Sequence, residues 1–188
     1  MGIIVAAVLV VIVFYFVLVY NSLISIRNNV SKSWANIEVL LKQRNEELPK
    51  LVDTCKHYMK HEQETLEKVS KARAQAERAR EIGDVASLDA AENVIRAGLG
   101  NIFAVAEAYP ELKADRDFAH LQSRITGLEN AIADRREFYN DSVYINNVRI
   151  QQFPQVIVAR LAGFNVLQML NFSAAELKDV DISERFNA

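Results

Sequence analysis

A single cysteine, Cys55, excludes an internal disulfide, and a lone thiol favours a reducing compartment. Three prolines and six glycines in 188 residues are too few for a loop-rich or all-β fold, whose turns are built from those residues. Neither charge sign dominates. The 22 basic and 24 acidic side chains are interleaved, giving a formal net charge of −2, and that balance offers no electrostatic reason to expect nucleic acid or an anionic surface as partner. No Gly-rich phosphate loop, Ser-His-Asp set or basic-aromatic patch occurs, so the usual carriers of nucleotide, acyl-transfer and nucleic-acid chemistry are missing. No stretch alternates with the period of a strand.

What is present begins with an apolar run. Ile3 to Tyr20 is uncharged over 18 residues, about 27 Å of helix and close to the thickness of a bilayer's hydrocarbon core. A cleaved signal peptide would need a basic leader, a shorter apolar core and a small-x-small cleavage site, all of which the run lacks. A buried core helix is not apolar on every face. The reading is a transmembrane anchor with the lipid bilayer as partner of residues 3–20. Arg27 and Lys32 follow it while the N-terminal side carries only the α-amino group, so the positive-inside rule places the following domain in the cytoplasm.

Behind the anchor the apolar residues step by three and four. Val30, Trp34, Ile37, Leu41, Leu48, Leu51, Cys55, Tyr58, Val69, Ala72 and Ala76 form one helical stripe. The stripe keeps its phase across Pro49, which predicts a kinked but continuous rod to about Glu81, ended by Gly83. A second helix is expected from an N-cap at Asp84 or Ser87 to Pro110, with the stripe Leu88, Ala91, Ile95, Leu99, Ile102, Ala106, Tyr109. Gly98 and Gly100 within it suggest close helix contact. A third helix is expected from about Asp117 to Phe153-Pro154, and a short apolar one over Val156–Leu161, closed by Gly163.

Four segments then carry a resemblance. They are Tyr20-Asn21 through Trp34 to Arg44; Leu48-Pro49-Lys50-Leu51-Val52 with Tyr58 and His61-Glu62; Glu107-Ala108-Tyr109-Pro110 through Asp115 and Phe118; and Glu129-Asn130 through Arg136, Tyr139-Asn140 and Asn147 to Phe153-Pro154 and Gly163-Phe164. In this order they resemble the LemA family. Lys50, Gln43 and Asn146 depart from its usual residues, which touches surface or local packing detail and not the fold. The resemblance implies a bacterial, N-terminally anchored, up-and-down helical bundle with no established enzymatic activity or cofactor. By analogy with a relative among magnetosome-membrane proteins, it hints at membrane organisation.

The expected architecture is therefore all-α: a transmembrane anchor (1–20), an antiparallel up-and-down helical bundle (21–153), and a short amphipathic helix with a C-terminal tail (154–188). His57 and His61, spaced i, i+4 with Asp53 and Glu64 one turn either side, could hold Zn²⁺, but the Glu of an H-E-x-x-H site does not follow the first His. A solvated face is the preferred reading. Cys55 sits in the apolar stripe and reads as core. Arg44, Glu62, Glu129 and Arg136 fall on or beside the stripes, where buried charge must be paired, so they read as an ion-pair network fixing register. Asn140 and Asn147, with Arg136 and Tyr139, could form a partner surface or an internal network. Trp34 and Tyr139 are expected in the core. No catalytic, cofactor or metal residue is assigned.

The functional expectation is a non-enzymatic scaffold or adaptor of a bacterial inner membrane, binding itself and other proteins. The alternatives are a membrane-remodelling or envelope-organising protein and, less favoured, a metal-dependent enzyme at His57/His61. Homo-oligomerisation is expected on the ground that Val30, Trp34, Ile37 and Leu41 lack an intramolecular partner; the competing geometry, in which the third helix continues toward the membrane and covers this stripe, leaves a monomer.

Overall fold

The computed structural model describes residues 1–171, in which six helices and no strand are found. They are α1 (Gly2–Tyr58), α2 (Gln63–Ile82), α3 (Val85–Ala106), α4 (Pro110–Ala114), α5 (Arg116–Gln151) and α6 (Gln155–Leu161). The described residues divide into two compact units, the first made of Met1–Gln43 with Leu128–Met169 and the second of Arg44–Gly127 with residues 170–171.

In the first unit, the apolar side chains from Ile3 to Leu18 are exposed all round α1. Length and composition make this a candidate membrane span. As a helix it satisfies every backbone group internally, the condition a hydrocarbon environment sets for such a β-branched segment. Burial begins at Val19 and Leu23, which pack with Ile150, Val158 and Ala159, with Phe164 against them. Further along, Trp34 stacks on Tyr139 with ring centroids 5.4 Å apart, and Ser33 lies 3.1 Å from Ser142, oxygen to oxygen. Rising numbers on α1 thus meet falling numbers on α5, an antiparallel pair. Val30, Ile37 and Leu41 are buried in it, so the stripe expected to be bare has its partner within the chain. Tyr139 is in the core as expected, whereas Trp34 is only half-buried. After α5 the cis Phe153–Pro154 peptide leads into α6, which Gly163 ends at φ 74°.

The second unit is built around a helical hairpin. Gly83 takes φ 71°, its N–H bonding to the carbonyl of Arg80 while that of Asp84 reaches Ala79, a Schellman closure. Asp84 then caps α3, its carboxylate accepting from the backbone N–H and the hydroxyl of Ser87. Leu66, Val69, Ala72, Ala76 and Ala79 of α2 and Leu88, Ala91, Ile95, Leu99 and Ile102 of α3 are buried. Gly98 sits where a Cβ would lie 2.3 Å from Val69 Cγ2, so the contact expected there is real; at Gly100 a Cβ would meet nothing within 4 Å.

Two expected elements change. The rod does not continue to Glu81: α1 stops at Tyr58 and Met59–Glu62 form a turn. Lys60, His61 and Glu62 give the stripe no apolar residue here, and the chain turns so that Met59 and Leu66 on either side are both buried. Pro110 does not end the second helix but starts α4 at its first position, where the missing N–H is not needed. The part of the expected tail beyond Asn171 lies outside the described residues.

Candidate functional site

Pro49 lies inside α1, so the helix has no N–H to offer the carbonyl four residues earlier. That carbonyl belongs to Asn45, and Arg73 of α2 supplies the missing donor, Nε to O at 3.0 Å. The Asn45 side chain donates to Glu77 Oε2 at 2.7 Å, and Arg80 pairs with the same Glu77. Burial opposes charge on Glu77, but Arg80 and Asn45 outweigh it and hold its carboxyl below the usual range. A polar brace between α1 and α2 thus compensates for the proline.

Nearby, Arg44 Nη2 lies 2.6 Å from Glu92 Oε2 and donates to Oε1 at 2.7 Å, with side-chain exposures of 0 % and 3 %. Of the four charges expected to form a network, Arg44 finds its partner in Glu92, outside the four. Glu92 is legible in retrospect, since it stands four residues after Leu88 and three before Ile95, on the buried face. Arg136 is also buried, Glu129 half-buried, and Glu62 lies in the turn after α1. Glu47, another charge missed, is buried and meets Arg124 at 2.9 Å and Lys50 at 3.0 Å.

His57 is exposed at the end of α1, but His61 is in the turn beyond it. The shared helix face assumed for a zinc pair does not exist, because the i, i+4 relation holds only on a helix. Glu64 is paired with Lys68 at 2.7 Å, and Asp53 with Lys56 at 3.3 Å. Among the described residues no group of three or more His, Cys, Asp or Glu could hold a metal ion. Cys55 is fully buried, and burial pushes its thiol up to about 12, the setting of an inert core cysteine.

Next to His57, a surface recess of about 500 Å³ is lined by Tyr58, Lys60, Tyr109, Pro110 and Glu111. The Tyr58 hydroxyl donates to Asp115 Oδ2 at 3.0 Å, and Asp115 Oδ1 accepts the N–H groups of Asp117 and Phe118 at the start of α5. The Phe118 N–H and then the Tyr58 hydroxyl hold the Asp115 carboxyl below its ordinary range, while the same bond raises Tyr58. The Tyr58 wall of the recess is thereby held, and the recess is a phenol-lined, mixed-charge depression.

In the first unit, the residues after α6 run extended along α5. Asn147 grips their backbone with both ends of its amide: Nδ2 donates to the carbonyl of Leu167 at 2.8 Å, and Oδ1 accepts the N–H of Leu167 at 2.9 Å. Asn146 donates to that same oxygen at 3.2 Å, and the Tyr139 hydroxyl donates to the carbonyl of Gln168 at 3.0 Å. The open choice for this group falls to the internal network for Asn147 and Tyr139. In the second unit, the N–H of Asn171 approaches Asp89 Oδ2 at 3.3 Å.

Comparison with known proteins adds the following. The model of the LemA family matches residues 33–183. Two proteins of Paramagnetospirillum magneticum, named Magnetosome protein MamQ 1 and MamQ 2, are each 24% identical over 170 residues, covering 77% of this chain. The chain spans 62% of their length. Protein LemA of Metamycoplasma hominis is 27% identical over 179 residues, covering 93% of this chain and 80% of its own.

Proposed function

The chain belongs to the LemA family, and from that premise we propose that it is a non-enzymatic, membrane-anchored helical scaffold or adaptor. It sits in a bacterial inner membrane with its helical part in the cytoplasm and presents a face for protein partners. The observation that carries this reading is on α1. An apolar surface exposed from Ile3 to Leu18 passes, within the same helix, into residues locked by packing at Val19 and Leu23. A helix that is bare and apolar at one end and packed at the other ties a folded unit to lipid. The recess at Tyr58 and Tyr109-Pro110 is the face offered for partners, because it sets two phenols beside charged residues and its Tyr58 wall is held by the Asp115 bond.

A photo-crosslinking residue at Tyr109, in cells, tests the adaptor role against the same probe at Ile82 on the hairpin tip. Adducts specific to position 109 support it, and identical adducts from both positions refute it. Orientation is tested with Ile82→Cys, since Ile82 is 77% exposed whereas Arg80 is paired with Glu77. Buried Cys55 stays silent as background. A membrane-impermeant maleimide that labels this variant in intact cells with a permeable or absent outer barrier would reverse the assigned orientation.

A second reading, membrane organisation by large assemblies, is favoured by the relatives named magnetosome proteins. Mass measurement of the detergent-purified chain separates the two. With the Val30–Leu41 stripe covered by its own chain, self-association must use another surface, and the anchor is the one proposed. A monomer supports the adaptor, and a large homo-oligomer supports the organiser.

A further inference from the structure

The near-neutral charge of the whole chain conceals a local asymmetry. Residues 1–37 and 142–169 contain four basic side chains, Arg27, Lys32, Arg149 and Arg160, and no acidic one, whereas the remainder holds 18 basic and 24 acidic. The acid-free stretches belong to the first unit, where α5 and α6 close around α1 as it leaves the apolar run. Helix α6 buries Val158 and Ala159 against Val19 and Leu23. Its Ile157 and Leu161, one helical turn apart, are exposed to 52% and 74%, and Phe153, in the turn that leads into the helix, is exposed to 80%. Three large apolar side chains so exposed, level with the end of a membrane span, are costly to leave in water.

The lengths agree. Because Val19 is taken up by α6, the bare part of α1 is Ile3–Leu18, about 24 Å of helix, short of the ~30 Å of a typical hydrocarbon core. A span shorter than the core thins the bilayer locally and brings the interface down to the groups that flank it. Tyr20 packs edge-on against Phe164 at 6.1 Å, and Arg27 lies 5.9 Å from the same ring. This gives an aromatic pair with a cation above it, the usual composition of a membrane interface.

We infer that α6 is a second membrane contact: its Ile157 and Leu161, with Phe153 of the preceding turn, lie in the headgroup–acyl boundary beside the anchor, held there by anionic lipid headgroups on Arg27, Arg149 and Arg160. A seven-residue helix is too short to bind a bilayer alone, but attached to an anchor it acts at high effective concentration. The inference rests on the reading of α1 as a membrane span.

The test uses the full chain carrying single environment-sensitive probes at Val10→Cys, Ile157→Cys, Leu161→Cys and, as control, Ile82→Cys. The protein is reconstituted into phosphatidylcholine vesicles with or without phosphatidylglycerol, with quenching by lipids spin-labelled near the headgroup or deep in the chain. Deep quenching at position 10 establishes the anchor. Loss of most of the fluorescence at 157 and 161 to the shallow quencher, with none at 82, is the expected result. The loss should be larger with phosphatidylglycerol and reduced by Arg27→Gln with Arg160→Gln. Quenching at 10 without quenching at 157 and 161 overturns the inference while leaving the anchor intact. A blue-shifted but unquenched probe at 157 would mean a protein contact and overturns it equally. Quenching unaffected by lipid charge or by the arginine changes overturns the headgroup assignment. No quenching at 10 removes the anchor reading itself.

Discussion

Replacing Arg73 by Met removes the donor that Arg73 gives to the Asn45 carbonyl, the one Pro49 leaves without its helical partner. A buried acceptor left unpaired costs about 1–3 kcal/mol. Arg73 is half-buried, which puts the expected loss toward about 1–2 kcal/mol in that range. In a Pro49→Ala background the backbone N–H restored at position 49 bonds to that carbonyl in the ordinary i to i−4 way, and Arg73→Met then loses only its attraction to Glu77. That attraction is common to both backgrounds and cancels in the double-mutant cycle. The coupling is therefore about 1–2 kcal/mol, or about 2–8 °C in Tm for a chain of this size. Circular dichroism melts of the four detergent-purified full-length chains measure it. Equal shifts from Arg73→Met in both backgrounds would refute the brace.

Gly100→Ala should raise stability by about 0.5–1 kcal/mol, as a helix-interior glycine in open space. Gly98→Ala should lower it despite the same helix gain, because overpacking costs about 1–3 kcal/mol where its Cβ meets Val69; parallel melts that move together would contradict the contact. Truncating one side of the buried pair, as in Glu92→Ala, should cost about 3–5 kcal/mol, while Arg44→Met with Glu92→Leu should recover much of it, again read by melting. Asn147→Ala should free the segment at Leu167, costing about 1–3 kcal/mol and opening a new cleavage site to limited proteolysis near residues 165–169. Because burial raises the Cys55 thiol from 9.0 to about 12, its contribution is fully present below pH 9 and is lost as pH rises toward 12. Alkylation at pH 8 should therefore wait on unfolding, and rapid reaction in the native protein would place the thiol elsewhere.

What the sequence made legible was whatever is encoded by neighbours along one helix. The apolar run, the left-handed Gly83, the Asp84 cap and the buried stripes all follow from spacing and turn chemistry, and each is present. The end of α1 at Tyr58 was hidden because the stripe resumes in phase after the turn, so periodicity alone could not mark the break. The polar contacts were hidden for a different reason. Arg73 reaching Asn45, Arg44 reaching Glu92 and Asn147 reaching Leu167 join positions 28, 48 and 20 residues apart. Their chemistry is set by which helices pack, and charge type alone does not name the partner.

The way Asn147 and Tyr139 hold the segment after α6 has a consequence for how that segment can vary. Both read main-chain atoms of Leu167 and Gln168 and no side chain. Recognition of this kind is blind to sequence except at 167, where proline would remove the N–H. Asn165, Val166, Gln168 and Met169 are exposed to solvent, so their identities are free to drift between relatives, and an epitope or probe could be written into them while the backbone stays docked.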